Sequence, residues 1–475
     1  MLGLPASRAP ARIPSEARAA ALLSIAVACL FAPIWLRGLT PFWGDMTYIH
    51  HPWQATLAQS LQSGRLPLWD PYLYFGMPGL AKMQNAVFYP GQLPCFIFGF
   101  ATAAAVFQGL HFWLAGWLTF LWLRSLRLSA GPALAGGLVF GLGGAMTGHM
   151  PFLNHIAVMS LVPGLLLCFR RPVLLGLALA LTFLAGYPPF LLGVVAMVWG
   201  LGLILAAPSG SWTGLAASWA RVWLAAGLLA AALTACQLWP GVELMALSRR
   251  SGGMPLDETL QFGYAWRDLV QWISPWLVTG KRFDPAVEWY QCSYVGFVGA
   301  LAAAWGLDRM RLRRAAGSVG LAALVLILIL GATNPLSRAV WAHFPPLRFI
   351  RYPGNVAYLG WPLIALLAAA GFARLRPQLR GAAILALIAE LGLYAQGNIP
   401  VMPRSVFTEA GPLVRYLQSH AVGGRYLISP LALESHSGAG VRDWKWRLYG
   451  MTNGPFRLRA AANFGEPLVP RTNYA

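Results

Sequence analysis

Residues 19–51 read AAALLSIAVACLFAPIWLRGLTPFWGDMTYIHH, an apolar run that gives way abruptly to polar and aromatic residues. The run Ala19–Leu36 is long enough to cross a bilayer core, which takes about 17–25 residues. The stretch that follows, Phe42–Leu93, is too polar and too broken by proline and glycine to span lipid. Asp45 therefore stands just past the point where a membrane helix meets water. A carboxylate held there can do chemistry on a molecule whose tail lies in the lipid.

Outward from this stretch the pattern repeats. The 475-residue chain is 57% hydrophobic and 11% charged with a mean hydropathy of +0.58, against roughly 25% charged for a soluble domain. After Ala19–Leu36, apolar segments are expected within Cys95–Leu123, at Pro132–Thr147, Ile156–Cys168, Pro172–Leu184, Phe190–Ala206 and Arg221–Leu238. Four more follow at Cys292–Gly306, Gly317–Gly331, Val356–Phe372 and Gly381–Gln396. This predicts an all-α integral membrane protein, a polytopic bundle of about eleven transmembrane helices. The first run follows Arg8, Arg12 and Arg18 and has no small-residue cleavage site after it, so it reads as a retained helix.

The net charge of +20 is nearly all arginine. Much of it lies in short clusters between apolar runs, such as Arg170-Arg171, Arg309/Arg311/Arg313/Arg314 and Arg374/Arg376/Arg380. That distribution orients helices, with basic loops cytoplasmic, and argues against a nucleic-acid partner. With the N-terminus in the cytoplasm, loops 42–93 and 239–290 and the tail 397–475 fall outside, the tail beyond a membrane domain of residues 1–396. The five cysteines lie in or beside apolar runs without CxxC spacing and read as small buried hydrophobes.

Asp45, Asp70, Glu243, Asp257, Glu258, Asp268, Asp284 and Glu288 all fall in the two large outer loops, whereas Glu16 and Asp308 are cytoplasmic. No P-loop, dinucleotide fingerprint or DxD motif stands on the cytoplasmic side. Chemistry on the outer face needs a donor already carried across, such as a lipid-linked one. Asp45 is the candidate general base, with capping of the segment from Met46 as the plainer role. His50 and His51 could bind a metal with Asp45 or hydrogen-bond a sugar, but neighbours on a helix point about 100° apart, and interfacial packing is the plainer role. Trp69 and Tyr89 suit a pyranose face or an interfacial aromatic belt. Asp70 sits in turn-forming sequence, and Arg65 and Gln84 complete the loop's substrate-binding candidates.

Arginines on the outer side run against the positive-inside trend. Arg249-Arg250 follow Glu243, and Arg348 and Arg351 precede the tenth apolar segment; a guanidinium fork there suits a lipid phosphate. Headgroup anchoring is the alternative. Glu390, inside the eleventh segment, reads as either functional or a structural hydrogen-bonding group.

The string Ser63-Gly64-Arg65-Leu66-Pro67-Leu68-Trp69-Asp70-Pro71, with Gly76-Met77-Pro78 and Phe88-Tyr89-Pro90, resembles the YfhO-like family of bacterial membrane proteins. Trp239-Pro240…Glu243…Ser248-Arg249, Phe349-Ile350-Arg351-Tyr352-Pro353 and Asn453…Phe464-Gly465…Pro470…Tyr474 resemble its later landmarks. The chain departs from the family at Asn355, near which a basic residue is frequent. The family in turn resembles GT-C-type glycosyltransferases. The resemblance implies a polyprenyl-phosphate-linked sugar donor, Asp45 as the catalytic position, Arg351 as a phosphate contact and a bacterial inner-membrane location. Its partners would be the bilayer and a cell-envelope glycan, lipid or protein acceptor. No cofactor is required, and a divalent metal stays open. The rival reading is a transporter or non-catalytic assembly protein, which would place polar groups and internal repeats within the spans.

Overall fold

The computed structural model describes residues 15–42, 44–206, 212–275, 292–308, 312–429, 445–463 and 468–469. Arg8, Arg12, Asp284, Glu288, Arg309, Arg311, Phe464, Gly465, Pro470 and Tyr474 lie outside the described residues.

The apolar runs form helices because a chain in hydrocarbon must pair its own backbone groups. After α1 (Ser15–Leu36) and α2 (His51–Gln62) come α3 (Phe100–Ser125), α4 (Ala130–Leu142), α5 (Leu153–Cys168), α6 (Pro172–Leu184) and α7 (Pro188–Ala206). They are followed by α8 (Trp212–Leu247), α9 (Phe297–Asp308), α10 (Leu312–Ile329), α11 (Trp361–Arg374) and α12 (Pro377–Asn398). The protein is thus an all-α, multi-pass membrane bundle. Each of the expected apolar segments overlaps a helix, although residues 292–296 precede α9 and residues 356–360 form a 3-10 turn ahead of α11. Among the described residues, 8 helices are long and apolar enough to cross a membrane, while α5, α6 and α9 are shorter apolar helices.

One boundary moves. Helix α8 continues through Pro240 to Leu247, so the large loop expected from Trp239 begins later, and Glu243 is an exposed residue of the helix. A proline costs one backbone hydrogen bond, which a long apolar helix survives when neighbouring groups compensate. The bundle closes through small residues. A Cβ on Gly306 of α9 would strike the Leu367 carbonyl of α11, and one on Gly371 would strike that of Ala302. The two backbones therefore touch, the small-residue packing expected where lipid supplies no hydrophobic drive between helices. Glu390 of α12 accepts from the backbone N–H groups of Phe297 (2.5 Å) and Val298 (3.2 Å) and from the Tyr294 hydroxyl. It thus caps α9 from outside, using donors that every helix start leaves unpaired, which is the structural hydrogen-bonding role.

The first loop folds on itself. Trp69–Asp70 pairs antiparallel with Met77–Pro78. The tail then packs on this loop: Val401–Pro403 pairs antiparallel with Leu39–Pro41, and the Met451 N–H donates to the Tyr48 carbonyl at 3.1 Å. Asn453 Nδ2 donates to the Tyr72 carbonyl (2.8 Å), and Asn463 Oδ1 accepts from the Tyr74 N–H (2.9 Å). Met451 and Val469 share a small core with Ile49, Trp53, Leu73, Tyr74 and Met77.

Candidate active site

Gly38, at φ +64°, ends α1 in the left-handed conformation that glycine adopts without strain. The chain turns through Leu39–Pro41 and enters a π-helical turn, Met46–His50, with Asp45 at its head. Asp45 makes no capping bond with its side chain. The plainer role expected for it, a helix cap, is therefore not the one it fills. Its half-buried carboxyl lines a cavity of about 590 Å³.

Other lining residues come from far apart in the chain. They include Tyr48, Tyr74 and Gln84 of the first loop, Phe152 and His155 at the start of α5, and Tyr187 between α6 and α7. Arg249, Arg250, Glu258 and Phe262 come from beyond α8, Arg351, Tyr352 and Asn355 from before α11, and Tyr449, Asn463 and Val469 from the tail. The segments that charge alternation assigns to one side of the bilayer thus meet around a single cavity.

Its electrostatics are uneven. Burial pushes the Asp45 carboxyl up to about 7, against the pull of the Arg351 guanidinium. Charge is costly there because few dipoles replace lost water. Burial, then the nearby Arg351, pushes Arg250 below the usual arginine range. Arg351 lies 3.8 Å from Glu258 and 4.4 Å over the Tyr352 ring, and its buried Nε finds no hydrogen-bond partner among the described residues. Two guanidiniums thus share one loosely held carboxylate, an arrangement that favours a further anion. Tyr74, Phe262 and Tyr352 all line the cavity with positive φ (49°, 56° and 67°). Such backbone strain persists only where surroundings over-determine it.

Four of the expected site residues, Asp45, Gln84, Arg249 and Arg351, line this cavity, and the other eight do not. Asp70 is buried, accepting from the Tyr72 N–H (3.0 Å) and pairing with Lys82 (3.0 Å), so its oxygens are committed within the loop. Tyr89 is buried with its hydroxyl 2.8 Å from His111 Nε2. His50 packs edge-on against Trp53, and His51 lies between Phe100 and Phe407. Burial pushes both imidazoles down to about 3, so both are neutral packing groups. Arg65 and Trp69 are exposed, and Trp69 covers Gly76. Arg348 packs on Gly253, its guanidinium reaching the Ala342 carbonyl at 3.5 Å, while Glu243 remains exposed on α8. Among the described residues, no group of three or more His, Cys, Asp or Glu is placed to hold a metal.

Arg250 stands with Arg249 against the charge trend, while the sequence marked Glu258 only as one of the outer-loop acids and Tyr352 only within a landmark string. Tyr449 and Asn463 carried no local signal, since only tertiary docking brings the tail to Asp45.

No family model matches the chain, and no curated protein matches its sequence. Solved structures do. A mutant of the mycobacterial arabinofuranosyltransferase AftD superposes with a TM-score of 0.52 at 16% identity over 87% of this chain and 30% of that one. A second class of the same mutant gives 0.50 at 17% identity, over 88% and 31%. The Archaeoglobus fulgidus oligosaccharyltransferase in its apo form gives 0.49 at 13% identity, over 94% and 64%. The chain spans about a third of the AftD chains it matches. These neighbours are GT-C-type glycosyltransferases, and the likeness to AftD shows a GT-C-like fold.

Proposed function

We propose that this protein is a membrane glycosyltransferase that moves a sugar from a polyprenyl-phosphate donor to a cell-envelope acceptor, on the outer face of a bacterial inner membrane. The observation that carries the reading is one cavity lined by a half-buried carboxyl, Asp45, and by three arginines, Arg249, Arg250 and Arg351. The GT-C-like fold supports it, as does the placement of the cavity among loops at the ends of spanning helices.

In this reading Asp45 takes the proton of an acceptor hydroxyl as that oxygen attacks the anomeric carbon. The carbon–oxygen bond to the phosphate breaks, and its electron pair leaves on the phosphate oxygen. Attack from the face opposite the phosphate inverts the anomeric centre. A base titrating near 7 is half ionised at working pH and still basic enough to accept the proton. The leaving phosphate gains charge as the bond breaks, and preorganised guanidiniums stabilise that charge without reorganising. Nothing in this sequence of events requires a metal, and a divalent cation stays open.

Purified protein in lipid, incubated with radiolabelled polyprenyl-phosphate sugars and envelope acceptors, tests the reading. The wild type is expected to release polyprenyl phosphate, and a folded Asp45→Asn variant to fail. Turnover that survives Asp45→Asn removes Asp45 as the base. No turnover by the wild type across donors moves the function to transport or assembly.

A further inference from the structure

Resting on that reading, the cavity lining holds two groups of residues within the field of Asp45, which we call its two poles. Arg250, Arg351, Glu258, Tyr352 and Tyr187 interact with one another at one pole. At the other, Tyr48 and Tyr449 meet edge to face, ring centroids 5.6 Å apart at 84°, and both lie in the field of Asp45. The second pole is built jointly by the first loop and the tail. Gly450, at φ +68°, lies so close to Tyr48 that a Cβ there would come within 2.6 Å of the Tyr48 Cβ. Asn463 holds the corner in place: its Oδ1 accepts from Tyr74, and its Nδ2 donates to the Gly450 carbonyl (3.2 Å) and to Asn453 Oδ1 (2.9 Å).

An inverting displacement requires the incoming oxygen and the leaving phosphate on opposite faces of the anomeric carbon. With the phosphate at the arginine pole, the acceptor must approach from elsewhere while still reaching Asp45. The tyrosine corner meets both conditions. Two perpendicular rings offer one apolar face and one edge, with hydroxyls at the tips, which suits a sugar ring carrying apolar C–H faces and equatorial hydroxyls.

We propose that Tyr48 and Tyr449, braced by Asn463, form the acceptor subsite, that the acceptor presented there is a glycan, and that the tail selects it. The acceptor hydroxyl gives its proton to Asp45 and its oxygen to the anomeric carbon, while the phosphate departs toward the arginines.

The test measures binding rather than turnover, using the full chain in lipid nanodiscs. One arm titrates polyprenyl phosphate; the other titrates a panel of arabino-, manno- and galacto-oligosaccharides. Wild type is expected to bind both kinds of ligand. Tyr449→Ala should weaken the best oligosaccharide about tenfold, the size of one lost aromatic contact. Tyr449→Phe, which keeps the ring, should retain that binding, and both variants should bind polyprenyl phosphate as the wild type does, which also certifies their folding. Oligosaccharide binding unchanged in Tyr449→Ala overturns the subsite. So does a wild type that binds polyprenyl phosphate and none of the panel. If polyprenyl phosphate fails to bind while an oligosaccharide binds through Tyr449, the donor reading falls and the glycan wall stands.

Discussion

Asp70 commits both its oxygens inside the first loop, one to the Tyr72 N–H and the other to the buried Lys82 ammonium. Asp45, on the far side of α2 from it in sequence, makes no cap bond, faces the cavity and titrates near 7. The contrast shows how a fold assigns work to identical side chains. A carboxylate whose oxygens are both bonded to donors is chemically quiet. One that is desolvated with little compensation keeps its affinity for a proton, which is what a base needs.

The largest expected effect breaks this contrast at its functional end. Asp45→Asn should cut sugar transfer by about 10²–10⁴-fold, the usual worth of a positioned base. Asp70→Asn, in whatever fraction folds, should keep most of its transfer. Equal losses in both, measured per folded molecule, would erase the distinction.

Next comes the structural end. Breaking the Asp70–Lys82 pair from one side, with Lys82→Met or Asp70→Asn, should cost about 3–5 kcal/mol because a buried charge loses its counter-charge. Replacing both, Asp70→Leu with Lys82→Met, should recover most of that loss. Thermal unfolding in detergent reads the difference.

Arg351→Gln sharpens the comparison from the side of the field around Asp45. Loss of the guanidinium should slow transfer by about 10²-fold, as removal of one preorganised charge-stabilising donor does. Because Arg351 holds the Asp45 carboxyl down, its removal should also move the acid limb of the pH–rate profile to higher pH. An unmoved limb would detach Arg351 from Asp45.

The smallest effect concerns stability and pH. The folded state holds the Asp45 proton up to about 7, whereas the unfolded chain releases it near the ordinary value of 3.8. Between those limits the native state binds more protons, so this group lowers stability as pH rises through the window. Asp45→Asn removes the effect: its unfolding temperature should exceed that of the wild type at pH 8 and converge with it near pH 4.

Much of the bundle was legible because hydrocarbon imposes a simple demand, unbroken apolar length, that composition reports directly. Asp45 was legible from its place after α1, and Arg249 and Arg351 from standing against the charge trend. The expected residues that do not line the cavity share a cause. Asp70, Tyr89 and His51 look like site residues in a polar loop, yet Lys82, His111 and the Phe100–Phe407 pair claim them. Sequence shows that a group is polar but not which partner satisfies it. Tyr449 and Asn463 were illegible for the converse reason, since their neighbours Tyr48 and Tyr74 lie near the other end of the chain.

The hydrogen bond from Tyr74 to Asn463 joins residues 389 positions apart. Asp45 precedes all but the first of the described spanning helices in the chain and Asn463 follows them all, so the cavity is walled only when these distant segments meet. Until the tail docks, its side of the cavity stands open to water. A chain stopped after α12 would therefore carry Asp45 without Tyr449, Asn463 and Val469 beside it.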